Sequence, residues 1–140
     1  MYGQDKFEGI ESSIGTDDPR YLKAKADAHR LAGPEGIDAV LHANNITALV
    51  APTAAPAWLI DPVLGDHYVG SNPGKAAAVA GYPHLTVPMG YVKGLPVGLS
   101  FIGTAWSEAQ LLAYGFAFEQ AIHILIEPPL SLYPAKMRKR

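Results

Sequence analysis

Residues Ala80–Gln120 read AGYPHLTVPMGYVKGLPVGLSFIGTAWSEAQLLAYGFAFEQ, and the fold is decided in this stretch. Two apolar runs, His84–Met89 and Leu95–Ile102, have the length and composition of strands. Gly90-Tyr91-Val92-Lys93 and Gly94 separate them, which is hairpin spacing. Pro88 and Pro96 each lack a backbone donor, so neither strand is hydrogen-bonded on both sides along its full length. A helix follows. Ser107 and Gln110 have capping-box spacing, and Leu111, Tyr114 or Gly115, Phe118, Ile122 and Leu125 recur at helical intervals. Pro128 and Pro129 end it.

Upstream, Asp18 suits an N-cap and Pro19 the first helical position, so the spacing predicts a helix over Tyr21–Leu31 that Gly33 closes. A second helix is expected from Pro34 through Ala43, burying Ile37, Val40 and Leu41, with Asn44 or Asn45 as a left-handed cap. Ile46–Val50 is a continuous apolar run that fits a strand buried on both faces, as in a parallel or mixed sheet. Ala51–Gly74 is a long loop rich in Pro and Gly, and a short helix is expected over Lys75–Ala80. Residues 2–13 form at most a short helix with Phe7 and Ile10 on one face. The expected order α, α, β, α, β, β, α is an α/β layer arrangement: a partial mixed sheet flanked by helices, with residues 1–140 as a single domain.

Composition narrows the function. Hydrophobic residues are 49% of the 140, which excludes a disordered tail. Charged residues are 17%, against about 25% in ordinary soluble domains. So few charges on so small a domain are better explained if part of its surface is covered by other protein than by a compact monomer with a neutral polar surface. A net charge of −2 gives no electrostatic case for nucleic acid or an anionic membrane surface, and Lys136, Arg138, Lys139 and Arg140 read as a charged tail. With no cysteine, disulfides, thiolate metal sites and cysteine nucleophiles are excluded. The polar N-terminus and the lack of an apolar run of spanning length lead us to expect a cytoplasmic protein without membrane contact.

Several consecutive segments resemble one family in the right order. They are the Pro19–Leu41 stretch ending in AGPEGIDAVL, the strand and PT pair of Ala48–Thr53, AGYPHLTVP, GLPVGLSFIG and SEAQLLAYGFAFEQ. Together they resemble the C-terminal portion of the amidase signature family, hydrolases of carbon–nitrogen amide bonds. The resemblance implies an α/β fold, a small amide substrate in the complete enzyme and a Ser–cis-Ser–Lys triad on a Gly/Ser-rich segment. No position here matches that triad. Ser12-Ser13 lacks a glycine run, and Ser71-Asn72-Pro73-Gly74 falls where the family has a Ser/Pro loop. No catalytic residue is therefore carried over, and the isolated chain is expected to be inactive. Its expected partner is the N-terminal amidase part or a second copy; the alternative is a stand-alone non-catalytic module that binds a small molecule or a partner.

The resemblance makes the long loop a wall of the substrate funnel. The strand-end position of the loop agrees with where open α/β sheets collect ligands. Trp58, Asp61, Asp66, His67 and Tyr68 are the candidate substrate-binding residues. Each has a structural reading beside it: Trp58 as an anchor of the loop, the aspartates as turn caps. The Asp61, Asp66, His67 spacing matches no metal motif, the glycines match neither GxGxxG nor a P-loop, and no cofactor is expected. His84 reads as a satisfied histidine at the core or edge, and His29, His42, His123 and Lys75 as solvated or boundary residues.

Overall fold

The structure is a computed structural model, which describes residues 3–65, 70 and 72–124. Its elements are α1 (Asp5–Glu11), α2 (Pro19–Ala32), a π-helical segment (Gly33–Asp38), α3 (Ala39–Asn44), β1 (Leu49–Pro52), α4 (Gly74–Ala80), β2 (His84–Val92), β3 (Leu95–Ile102) and α5 (Glu108–Ile122). The three strands form one sheet in the order β1-β3-β2.

The hairpin forms with a tighter turn than its spacing implied. Lys93 and Gly94, both at positive φ (51° and 79°), make the whole connection, and β2 runs on to Val92. The two prolines sit where a missing N–H costs least. Pro88 lies on an outer strand at a register shift between Pro88 and Gly90. Pro96 lies beyond the part of β3 that β1 pairs, which ends at the Pro52–Leu99 match.

Both pairings, β1 with β3 and β2 with β3, are antiparallel. The α/β arrangement holds, but the mixed sheet expected from Ile46–Val50 is not found among the described strands. The apolar run was misleading about its own strand. β1 starts three residues later, at Leu49, its burial alternates, and Val50 is 61% exposed. The strand buried on both faces is β3, where Ser100, Phe101 and Ile102 are all buried because β3 is central. β1 and β2 run parallel to one another without touching, since each is antiparallel to β3, and the connection through α4 joins them across it.

Period-two alternation divides the core into two layers. On one face, Ile102 and Leu49 meet Ile37, Leu41, Ala77 and Ala80 from the π segment, α3 and α4. On the other, Val87, Phe101, Leu85 and Leu99 meet Leu111, Tyr114 and Phe118 of α5. The rings of Phe101 and Phe118 are edge-on with centroids 6.1 Å apart.

Asp18 caps α2 as expected, its carboxylate accepting the Arg20 N–H at 2.8 Å, and Asn45 takes the left-handed cap of α3 (φ 51°, ψ 45°). Three local expectations fail. Val40, expected on the buried stripe of the second helix, is 45% exposed. Gly33 does not end the helix: the backbone passes through Pro34 as a π turn and continues to Asn44. A wider turn relieves the clash a proline ring makes with the preceding helical turn. A Cβ at Gly36 would lie 2.5 Å from the Leu31 carbonyl oxygen, so the turn depends on glycine there. The Ser107–Gln110 capping box is not made either. Ser107 makes no side-chain cap bond and gives its hydroxyl to the Thr104 carbonyl at 2.7 Å. Helix α1 forms, but Phe7 and Ile10 on it are each 67% exposed.

Candidate functional site

The chain leaves the sheet at Thr53, directly after β1, and returns at Gly74, the first residue of α4. Trp58 and Asp61 stand on the outgoing limb. Asp66, His67 and Tyr68 lie outside the described residues. Trp58 is 40% exposed, at the boundary between limb and solvent. Asp61 shapes its own turn: Oδ1 accepts the N–H groups of Val63 and Leu64, each at 2.9 Å. Those two bonds, Leu64 first, hold the carboxyl below its usual value, so it is an anion that organises backbone. Around it, Leu59, Ile60, Val63 and Leu64 are 74–92% exposed, an apolar tip on an ordered turn.

The base of the limb is polar and built on the sheet. Ser100, fully buried on β3, donates to Thr53 Oγ1 at 2.9 Å and lies 2.6 Å from His84 Nε2. Thr53 Oγ1 makes a longer contact, 3.4 Å, with Thr86 Oγ1. His84, expected as a satisfied edge or core residue, is an exposed edge residue with its partner in Ser100. Ser100 and Thr53 were not anticipated. The available signal was the matching of polar residues: Thr86 and Ser100 face each other across the hairpin, and Ala51, two residues before Thr53, faces Ser100 from β1.

Two residues before His84, Tyr82 donates to Asp38 Oδ2 at 2.6 Å. That bond, with burial, pushes the phenol above its usual value. Asp38 Oδ1 is buried with no partner among the described residues. Lys75, His29, His42 and His123 are exposed. Among the described residues, no group of three or more His, Cys, Asp or Glu could hold a metal ion. No helix among them is long and apolar enough to cross a membrane.

These features define a class first: a helix–sheet–helix unit whose antiparallel sheet carries a long loop beyond a strand end. No protein-family model matches the chain. Individual relatives do. The chain is 31% identical to a putative amidase of Schizosaccharomyces pombe over 135 residues, 96% of this chain and 22% of that one. It is 37% identical over 111 residues to a glutamyl-tRNA(Gln) amidotransferase subunit of Acinetobacter baumannii, covering 77% of this chain and 22% of that one. It superposes on the native peptide amidase of Stenotrophomonas maltophilia with a TM-score of 0.81 and 50% identity, covering 91% of this chain and 25% of that one. The chain belongs to the amidase signature family, and the matches are consistent with its C-terminal portion. It spans between a fifth and a quarter of the length of these relatives.

Proposed function

We propose that this chain serves the hydrolysis of a carbon–nitrogen amide bond, as part of an amidase whose nucleophile is supplied by sequence outside these 140 residues. In that reaction water adds to the carbonyl carbon, the C–N bond breaks, and a carboxylic acid and an amine or ammonia are released. One observation carries the reading: 50% identity to a peptide amidase over 91% of the chain, with the same backbone course. That likeness favours a peptide amide as substrate. The chain's part is to wall the substrate site, with Trp58 as a contact and Asp61 holding the turn beyond it. Asp66, His67 and Tyr68 are proposed as further substrate contacts. Its partner is the remaining portion of an amidase. The exposed Leu112 and Phe116 on α5 and Val50 on β1 are apolar surface of the kind such a partner covers.

The test is complementation. The 140-residue chain is combined with the portion of the Stenotrophomonas peptide amidase that it does not match, and ammonia release from a C-terminal peptide amide is followed. Hydrolysis is expected from the pair and from neither part alone. Turnover by the 140-residue chain alone, or none by a pair that demonstrably associates, would overturn the reading.

A further inference from the structure

The four polar side chains at the base of the limb are not used by the hydrolysis proposed above, and their protons can be counted. A hydroxyl has one proton to give. Ser100 gives its proton to Thr53 Oγ1. The 2.6 Å contact between Ser100 Oγ and His84 Nε2 must therefore be made with a proton from histidine. Hence Nε2 carries hydrogen, and the bonds run in one direction, His84 to Ser100 to Thr53 to Thr86. Ser100 is 0% exposed, out of reach of a substrate carbonyl, so its place here is structural.

The same group reaches both ends of the loop, by hydrogen bonds at Thr53 and by packing at Gly74. Thr53 is the exit, and its N–H is also held by the Gly98 carbonyl at 2.8 Å. Gly74 is the re-entry, and the imidazole lies directly against it: a Cβ there would sit 2.5 Å from His84 Cε1 and Nδ1. Gly98 makes the matching space below, where a Cβ would meet Thr86 Cγ2 at 2.7 Å and Thr53 Oγ1 at 2.9 Å. Two glycines thus leave room for one hydrogen-bonded group that touches exit and re-entry together.

We propose that Ser100 is the hub of a directional hydrogen-bonded clamp, His84–Ser100–Thr53, that holds Thr53 and Gly74 together and so sets where Trp58 stands. Ser100, His84 and Thr53 are positioning residues, not catalytic ones. The inference rests on the proposed function only in giving Trp58 a substrate to face.

The experiment uses the 140-residue chain, and no readout requires an amide. Long-range ¹H–¹⁵N spectra are expected to show hydrogen on His84 Nε2. Ser100→Ala is expected to speed amide exchange at least tenfold at both Thr53 and Lys75, with less than a twofold change at Leu111 in α5. In a Trp106→Phe background it is also expected to shift the Trp58 emission. His84→Ala should reproduce these effects, and His84→Gln, which keeps a donor, should restore them. The His84 pair decides the question if Ser100→Ala does not fold. An Nδ1–H tautomer, loosening at one end only, an unmoved Trp58, or no difference between the alanine and glutamine variants would each overturn the clamp. Failure of the complementation assay with these results intact would refute the hydrolytic reading and leave the clamp standing.

Discussion

Leu111→Ala against Leu112→Ala tests the packing of α5 within one helix. Leu111 is 1% exposed between Val87 and Phe101, whereas Leu112, the next residue, is 60% exposed. The change removes the same atoms and alters helix propensity equally at both sites. At Leu111 the lost transfer energy of about three methylene equivalents is about 2.4 kcal/mol, at ~0.8 kcal/mol each. A cavity term is added at about 24 cal/mol per Å³, or about 1 kcal/mol if roughly 40–50 Å³ stays empty. Collapse is resisted, because Phe101 is wedged against Phe118 and Tyr114 is tied through its hydroxyl to Thr47 Oγ1 at 2.7 Å. The expected cost at Leu111 is therefore about 3–4 kcal/mol, a large share of the roughly 5–15 kcal/mol of an ordinary domain. At Leu112 it is about 0.5 kcal/mol, the usual scale for a surface change. Urea melts of the two variants decide between these figures. With a slope of about 1.5 kcal/mol per molar, the Leu111→Ala midpoint falls by about 2 M and that of Leu112→Ala barely moves. Equal losses at the two positions, or less than about 1 kcal/mol at Leu111, would refute the assignment of the buried face.

Three further outcomes follow from other parts of the molecule. Tyr82→Phe removes a donor to the Asp38 carboxylate, whose other oxygen is already buried without a partner among the described residues, and is expected to cost about 1–3 kcal/mol in thermal or urea unfolding. In the unsubstituted chain the Tyr82 phenol keeps its proton above its ordinary value, so the folded state binds more protons and stability falls as pH rises past about 10; Tyr82→Phe should flatten that alkaline loss. Asp61 has a depressed carboxyl, so its contribution is fully present above the unfolded value near 3.9 and is lost as pH falls through the lower folded value; the Val63 and Leu64 amides should begin to exchange faster in that acid window, and Asp61→Ala should abolish the pH dependence. Gly36→Ala drives a Cβ into the Leu31 carbonyl oxygen, which belongs to backbone and cannot rotate away, and should lower the melting temperature by an amount corresponding to about 1–3 kcal/mol.

Of the candidate site, the position of the loop was legible and its anchoring was not. The Pro/Gly composition of Ala51–Gly74 placed a loop after a strand, and the structure puts its ends at Thr53 and Gly74. Asp61 was readable as either a turn cap or a substrate contact, and its Oδ1 is engaged by the turn. Ser100 was signalled only by Thr86 facing it across the hairpin, since a serine in an apolar strand has the same sequence neighbours whether or not a histidine and a threonine reach it from other elements.

By itself the sequence determined what depends on a few adjacent residues. Asp18 and Pro19 start α2, one of Asn44 and Asn45 ends α3, β3 runs from Leu95 to Ile102, and α5 presents Leu111 and Phe118 to one side. These are settled by backbone dihedrals, missing donors and side-chain period, which act within one turn or one hairpin. The tertiary structure alone decided which strand is central, that β1 pairs antiparallel to β3, that the helix continues through Pro34, and that Ser100 joins Thr53 to His84. Each of these depends on groups brought together from separate elements: a strand becomes central only by acquiring two neighbours, and a buried hydroxyl finds its partners only once the sheet that carries them has formed.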